Sequence, residues 1–235
     1  MRKEPFFVGD LVHVFNRGNR KQEIVRDDKD RLYFLQALYY LNDSHSILNI
    51  FRDLNDLFRS DLNKFEWPNE FPERDPLVKI HAVILKYNHF HLILEEIREG
   101  GVAEFMKKLG VGMTCRFNKR YKETGRLFQG GYKARRIDKD NYLQYLSVYI
   151  HIKNAFEAYE NGLENAMKNF DDAYEFAKKY PYSSLGMYEG ENSLFSEIVS
   201  TDRLEDAFKD EDFKEFAKNC LEAVGFDEKT MKIDV

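Results

Sequence analysis

Two cysteines in 235 residues, Cys115 and Cys220, rule out a disulfide framework. They lie far apart, without metal or redox spacing, and suit a reducing compartment. No apolar run reaches about 18 residues, so no membrane-spanning helix is expected. The opening residues, Met1-Arg2-Lys3-Glu4-Pro5, lack the apolar core of a signal peptide, and a cytoplasmic location is expected. Proline is scarce, and three of the five residues, Pro68, Pro72 and Pro76, fall in one short stretch. There is no internal repeat and no low-complexity tract.

With 43% hydrophobic and 33% charged residues, the chain can bury a core as one domain with an appendage or as two small domains. The net charge of −5 argues at first against a nucleic-acid partner, but the charge is segregated. Residues 155–235 hold 9 Lys and Arg against 20 Asp and Glu, net −11, which leaves 27 against 21 in residues 1–154, net +6. Between 107 and 136 there are ten basic residues and one acidic residue, Glu123. Blocks of one sign are a statement about partners more than about fold.

Alternating Val12 and Val14 run into the polar turn Asn16-Arg17-Gly18-Asn19-Arg20, which reads as a strand and a loop. Arg17, Arg20 and Lys21 suit phosphate contact there, and a plain basic hairpin tip fits as well. Asp28–Asn42 reads as an amphipathic helix through Leu32, Leu35, Leu38 and Leu41. Residues 43–76 predict a short helix through Phe51, Leu54, Leu57 and Phe58, then a Pro-broken loop. Leu77–Tyr87 and Asn88–Glu95 predict one long strand or two around a bend. Val102–Tyr121 predicts a helix with Phe105, Leu109, Met113 and Phe117 on one stripe. Its other face carries Lys107, Lys108, Arg116, Lys119 and Arg120. Gly110 and Gly112 weaken this helix by about 1 kcal/mol each relative to Ala, which a kink or the close approach of backbone or ligand would explain. Leu127–Ile137 predicts a further strand. Lys139–Glu160, capped by Asp138, then predicts a helix with Tyr142, Tyr145 and Tyr149 on one face. Asn161–Lys179 and two or three short acidic helices from Asn192 complete the pattern. Its order predicts an α+β, ferredoxin-like antiparallel sheet with helices on one face, plus a helical C-terminal extension. The expected division is a domain over 1–160, with an insertion at about 43–76, and an acidic extension over 161–235.

The most informative stretch is Asn88-His89-Phe90-His91. On a strand, residues i and i+2 point to the same face, so His89 and His91 project side by side. Two neutral imidazoles on a rigid strand can clamp a divalent ion, and two half-buried histidines that bind nothing fit the pattern equally. A basic helix and strand could track a phosphate backbone. A tyrosine on the following helix could attack a phosphodiester, although most helical tyrosines simply pack.

The ordered set of motifs resembles the single-tyrosine transposases of the His-hydrophobic-His endonuclease superfamily, most closely the REP-associated tyrosine transposases. The matching stretches are Val12–Asn19, Asn88–Leu94, Phe117–Tyr121, Gly125–Gly130, Tyr132-Lys133, Tyr149-Ile150-His151 and Tyr180–Ser184. The resemblance implies cutting and rejoining of single-stranded or hairpin DNA, with Mg²⁺ or Mn²⁺ held by His89 and His91. It implies Tyr149 as the nucleophile that forms a 5′-phosphotyrosine. Lys119, Arg120, Lys133, Arg135 and Lys153 join Arg17 and Arg20 as candidate DNA contacts. The protein would be a monomer or homodimer. One departure stands out. The family carries a metal-binding amide four residues after the tyrosine, where this chain has Lys153, followed by Asn154. Either Asn154 takes over after a local shift, or Lys153 contacts phosphate, or the metal site is impaired. The last case predicts a host-adopted hairpin-DNA-binding protein that no longer cuts. An RNA-binding module is a third reading, but its sheet should expose aromatics where this strand presents histidines.

Overall fold

A computed structural model describes residues 5–45, 50–51, 65–191 and 193–224. The short helix expected through Leu54, Leu57 and Phe58 lies outside the described residues. Four strands form one sheet: β1 (Leu11–Arg17), β2 (Val78–Leu85), β3 (His89–Glu96) and β4 (Lys133–Ile137), in the order β2-β3-β1-β4. All three pairings are antiparallel. Helices α1 (Asp28–Tyr40) and α2 (Gly101–Tyr121) make the two crossovers, which is the ferredoxin-like arrangement.

Alternation along the strands sorts the side chains into two faces. Val12, Val14, Phe90, Leu92 and Leu94 meet Phe34, Leu35 and Leu38 of α1 and Phe105, Leu109, Met113 and Phe117 of α2. Each such buried side chain contributes about 1.5–3 kcal/mol. The opposite face carries Ala82, Ile84 and Ile93, which pack under α3 (Asp140–Val148) and its continuation. The helices of the C-terminal part thus cover the face that α1 and α2 leave open. Leu204, from the helix Asp202–Ala207, joins that second core.

α1 is buried on more than the expected stripe. Tyr39 and Tyr40 are buried as well, because Phe65 and Trp67 pack against them. Its first turn is clamped to the last turn of α2. Asp27 caps the helix by accepting from the Asp30 N–H at 3.1 Å, and Arg120 donates to the carboxylates of both Asp27 and Asp30. The hydrogen bonds from Arg120 lower the Asp27 pKa to about 2. Tyr121 Oη donates to Asp30 at 2.6 Å. Arg120 thus ties the start of α1 to the end of α2 through an ion pair.

Two side chains fix the joins. Glu96 accepts from the Gly100 and Val102 N–H groups at 2.7 and 2.9 Å and so caps α2. A Cβ on Gly101 would sit 2.1 Å from the Leu77 carbonyl oxygen, so only glycine fits there. Asn42, 4% exposed, accepts from the Leu77 and Val78 N–H groups at 3.1 and 3.0 Å and donates to the Val78 carbonyl at 2.9 Å. Asn42→Ala leaves those backbone groups buried and unpaired. It is expected to cost about 2–4 kcal/mol in urea unfolding. A loss below 1 kcal/mol would refute this role.

The expected strand over Leu127–Ile137 is shorter in the structure. Leu127 and Phe128 are buried, and Phe128 makes only an isolated bridge to Gly18. Gly130 and Gly131 separate them from β4, since glycine has no side chain to hold a strand. Lys139, not Asp138, precedes the first turn of α3, and no side chain caps it. The long helix expected to Glu160 ends at Phe156, and Asn161 adopts φ 58° before the next helix begins. The following stretch is two helices, Gly162–Lys168 and Phe170–Lys178. The acidic tail forms Asp202–Ala207 and Phe213–Val224.

The β2 edge is covered by the chain itself. Leu85 N–H donates to Tyr182 O at 2.9 Å, Ser184 N–H to Val83 O at 3.0 Å, and Ser200 N–H to Ile80 O at 2.8 Å. Val83 N–H donates to Ser184 Oγ at 2.9 Å. Beside this seam, Arg203 binds Glu95 with two bonds, at 2.7 and 3.2 Å, and Glu95 meets His81 Nε2 at 3.0 Å.

Candidate active site

The register of β1 on β3 places Arg17 opposite His89, Phe15 opposite His91 and His13 opposite Ile93. Directly opposed residues share a face, so β1 adds its own histidine and arginine to the pair on β3. β4 extends the row, with Lys133 opposite Phe15 and Arg135 opposite His13. Phe90 and Leu92 point into the other core.

His91 is fully buried, and His13 Nε2 lies 3.0 Å from its Nδ1. The two rings stack at 5.2 Å, and Phe15 stacks on both. His91 Nε2 is buried without a hydrogen-bond partner among the described residues. A proton on Nδ1, donated to His13, leaves the Nε2 lone pair available, as on a metal-ligating histidine held by a second residue. Burial, and after it the nearby charge of Arg135, lowers the His13 pKa to about 3. Burial drives the His91 pKa well below the ordinary value. Both rings are therefore neutral at pH 7. His13 was not singled out from the sequence. The signal that could have found it is its strand parity with Phe15 and Arg17.

His89 is held in the same way from the other side. Asn88 Nδ2 donates to Lys21 O at 3.2 Å, which turns Asn88 Oδ1 toward His89 Nδ1 at 2.6 Å. Nδ1 therefore carries the proton, and Nε2 presents its lone pair. Burial lowers the His89 pKa to about 4. Its Nε2 faces Asn154 Oδ1 at 3.4 Å. That oxygen is fixed, because Asn154 Nδ2 donates to Tyr149 O at 2.8 Å. In that tautomer His89 Nε2 and Asn154 Oδ1 present two lone pairs to each other, an arrangement that a cation would satisfy.

Asn154 reaches this place through the backbone. Tyr149–Lys153 is a π-helical segment, and the Asn154 N–H donates to the Tyr149 carbonyl, five residues back. In a π turn, residue i+5 closes the turn on residue i, where in an α-helix i+4 would. The wider turn brings the amide of Asn154 over the start of the segment. The π turn is a local shift of the kind that one of the possibilities open in the sequence requires. The donors are two imidazoles and an amide oxygen; among the described residues no three His, Cys, Asp or Glu side chains gather as a metal cluster.

Tyr149 lies against this group, its ring 5.2 Å from His91 and edge-on to it. It is 1% exposed. Lys153 Nζ sits 5.2 Å from the Tyr149 ring and 2.6 Å from Glu157. Lys86 Nζ donates to Asn154 O at 2.5 Å, and burial lowers its pKa. Arg17, Lys133 and Arg135 border the same face; Lys133 lies over Phe15 and Arg135 over Tyr142. Arg20 and Lys119 are exposed. Tyr145 packs on Phe216. His151 turns to Ser184 Oγ at 2.8 Å and Ser147 Oγ at 3.3 Å, and joins the helix to the seam on β2.

Among the described residues no helix is long and apolar enough to cross a membrane. No curated relative matches the chain in sequence. A solved structure of a REP-associated tyrosine transposase bound to a REP hairpin is similar at 14% identity, over 83% of this chain and 88% of that one, with a TM-score of 0.46. The family model for IS200-like transposases matches residues 73–153. The residues similar to that family include His89, His91, Tyr149 and Lys153.

Proposed function

We propose that this protein is a metal-dependent transposase-type enzyme that nicks and rejoins single-stranded DNA at or near a hairpin, with Tyr149 as nucleophile. The observation that carries the reading is the set of lone pairs beside Tyr149: unpartnered His91 Nε2, and His89 Nε2 facing Asn154 Oδ1. His89, His91 and Asn154 would hold the metal, Mg²⁺ or Mn²⁺. When bound, it supplies charge stabilisation to the phosphoryl oxygens. His13 and Asn88 hold the two imidazoles in the tautomers that binding needs.

Tyr149 Oη would attack phosphorus, and the bond from phosphorus to O3′ would break. The phenol proton is lost, the leaving O3′ gains a proton, and the 5′ side remains as a phosphotyrosine. The phosphodiester energy is kept in that linkage, and attack by a 3′-hydroxyl reverses it. Because Tyr149 is buried, a phosphate meets it only after the chain around it moves. Lys153 would lower the cost of phenolate formation by its charge near the ring. Arg17, Lys133 and Arg135 would hold the strand across this face, with Arg20 and Lys119 further out. The catalytic domain would span 1–160, with 161–235 an acidic extension.

The test is a pool of labelled DNA hairpins incubated with protein and Mn²⁺ or Mg²⁺. A covalent protein–DNA product that survives denaturing electrophoresis and disappears with chelator is expected. In calorimetric titration, Asn88→Ala should weaken Mn²⁺ binding about 10–100-fold, and Asn154→Ala at least as much. Unchanged affinity in both variants would remove these donors from the metal site.

Two observations favour a second reading, a hairpin-DNA-binding protein without cleavage: Lys153 stands where the resembling family carries its amide, and Tyr149 is buried. That reading predicts salt-dependent binding with no covalent product under either metal.

A further inference from the structure

A groove of about 660 Å³ lies between α2 and the loop 125–132, on the face of the sheet away from the histidines. Phe90, Met106, Leu127 and Phe128 form its apolar floor. Lys107 and Arg126, both exposed, stand at its rim. The loop wall is pinned: Asn118 Nδ2 donates to Gly125 O at 3.0 Å, Asn16 Nδ2 to Gly130 O at 3.2 Å, and Gln129 N–H to Arg17 O at 2.9 Å.

Three glycines line the groove without any need of their own backbone. Gly110, Gly130 and Gly131 are outside the left-handed region, and a Cβ on any of them would meet nothing within 4 Å. Gly112, by contrast, has Leu41 at 2.9 Å from its Cβ position. Glycine inside a helix lowers stability, so Gly110 weakens α2 where a larger residue would have room. Its effect is to keep the groove open.

We propose that this groove binds an unpaired nucleotide of the single-stranded DNA that flanks the reacting phosphate. The inference rests on the reading of the chain as a single-stranded-DNA enzyme and adds a subsite to it. The base would lie on the aromatic and methionine floor, and the flanking phosphates would meet Lys107 and Arg126. Charge favours that occupant, since the stretch 107–136 that builds both walls holds ten basic residues and one acidic residue. Continuity favours it as well. Phe90 is the floor residue between His89 and His91, and the groove wall is bonded to Arg17 at the end of β1. A strand leaving the histidine face at the Arg17 end of β1 would reach the groove past Gly18, whose N–H is held by Asn88 O at 2.8 Å.

The test compares hairpins with randomised loops and a six-nucleotide single-stranded extension against the same hairpins with an abasic extension. Wild-type protein should bind the first pool at least tenfold more tightly. Gly110→Leu should erase that difference while the melting temperature stays level or rises, because a side chain there meets open space. Joint replacement of Lys107 and Arg126 by Gln should lower the salt dependence of binding. Equal affinity of the wild type for both pools, or full discrimination by Gly110→Leu, overturns the subsite while leaving hairpin binding intact. Absence of binding to every pool would overturn both the subsite and the DNA-processing reading.

Discussion

Tyr149→Phe is expected to fold, to bind hairpin DNA as tightly as the parent, and to form no covalent protein–DNA product. The ring is what the core uses, stacked edge-on to His91 at 5.2 Å and 1% exposed, and phenylalanine keeps it. Loss of one hydroxyl should cost no more than about 1.5 kcal/mol of stability. The chemistry has no such tolerance, because the oxygen that bonds to phosphorus is gone. A drop of about 10⁴-fold or more in adduct formation is expected, equivalent to about 5.5 kcal/mol of barrier. Tyr142→Phe and Tyr145→Phe serve as controls and should retain the adduct, since those rings pack on Arg135 and Phe216. Peptide mapping of the adduct identifies the residue that carries the DNA. An adduct that persists in Tyr149→Phe removes Tyr149 from the mechanism.

The second large effect is on stability in acid. Burial lowers the pKa of His13 and His151 to about 3 and that of His89 to about 4, against an ordinary value near 6.5. The folded chain therefore binds fewer protons than the unfolded chain between these limits. The stabilisation from neutral burial is fully present above about pH 6.5 and is lost as pH falls toward the native values. At pH 5 each of the three histidines costs about 2 kcal/mol, or about 6 kcal/mol together. His91 and His81, whose pKa values are lowered as well, act in the same direction. Against a typical stability of about 5–15 kcal/mol, the metal-free chain should unfold near pH 4–5. Urea titrations at pH 7.5 and pH 5 would measure it. Equal stability at the two values would show that these rings are not buried neutral. Added Mn²⁺ should move the acid limit downward, because a ligand of the folded state alone stabilises it.

Much of the fold could be read from the chain because its strands and helices follow simple periods. The alternation around His89 and His91 predicted which side chains share a face, and the stripe Phe105, Leu109, Met113, Phe117 predicted the buried side of α2. Tertiary partners were not legible. Arg120 reads as a basic surface residue until Asp27 and Asp30, some ninety positions away, are brought to it. His13 looks like one more residue in an apolar strand until the register sets it beside His91. The role of Asn154 was open for a different reason. A one-residue offset has no local signature, and only the π turn shows that the Asn154 amide faces His89. The strand expected through Leu127 failed because apolar side chains there serve a loop that folds onto Phe90.

The seam on β2 bears on how copies of this chain could assemble. A four-stranded sheet has two borders, and each is a row of backbone groups that a neighbouring molecule could extend. On the β2 side, Tyr182, Ser184 and Ser200 already take those places. On the β4 side the border is five residues long and carries Lys133, Arg135 and Arg136. Like charges would oppose each other if two such borders met. Growth of the sheet from one molecule into the next is thus closed at one border and discouraged at the other. A dimer of this protein is therefore expected to be built through helices or loops, with its two sheets kept separate.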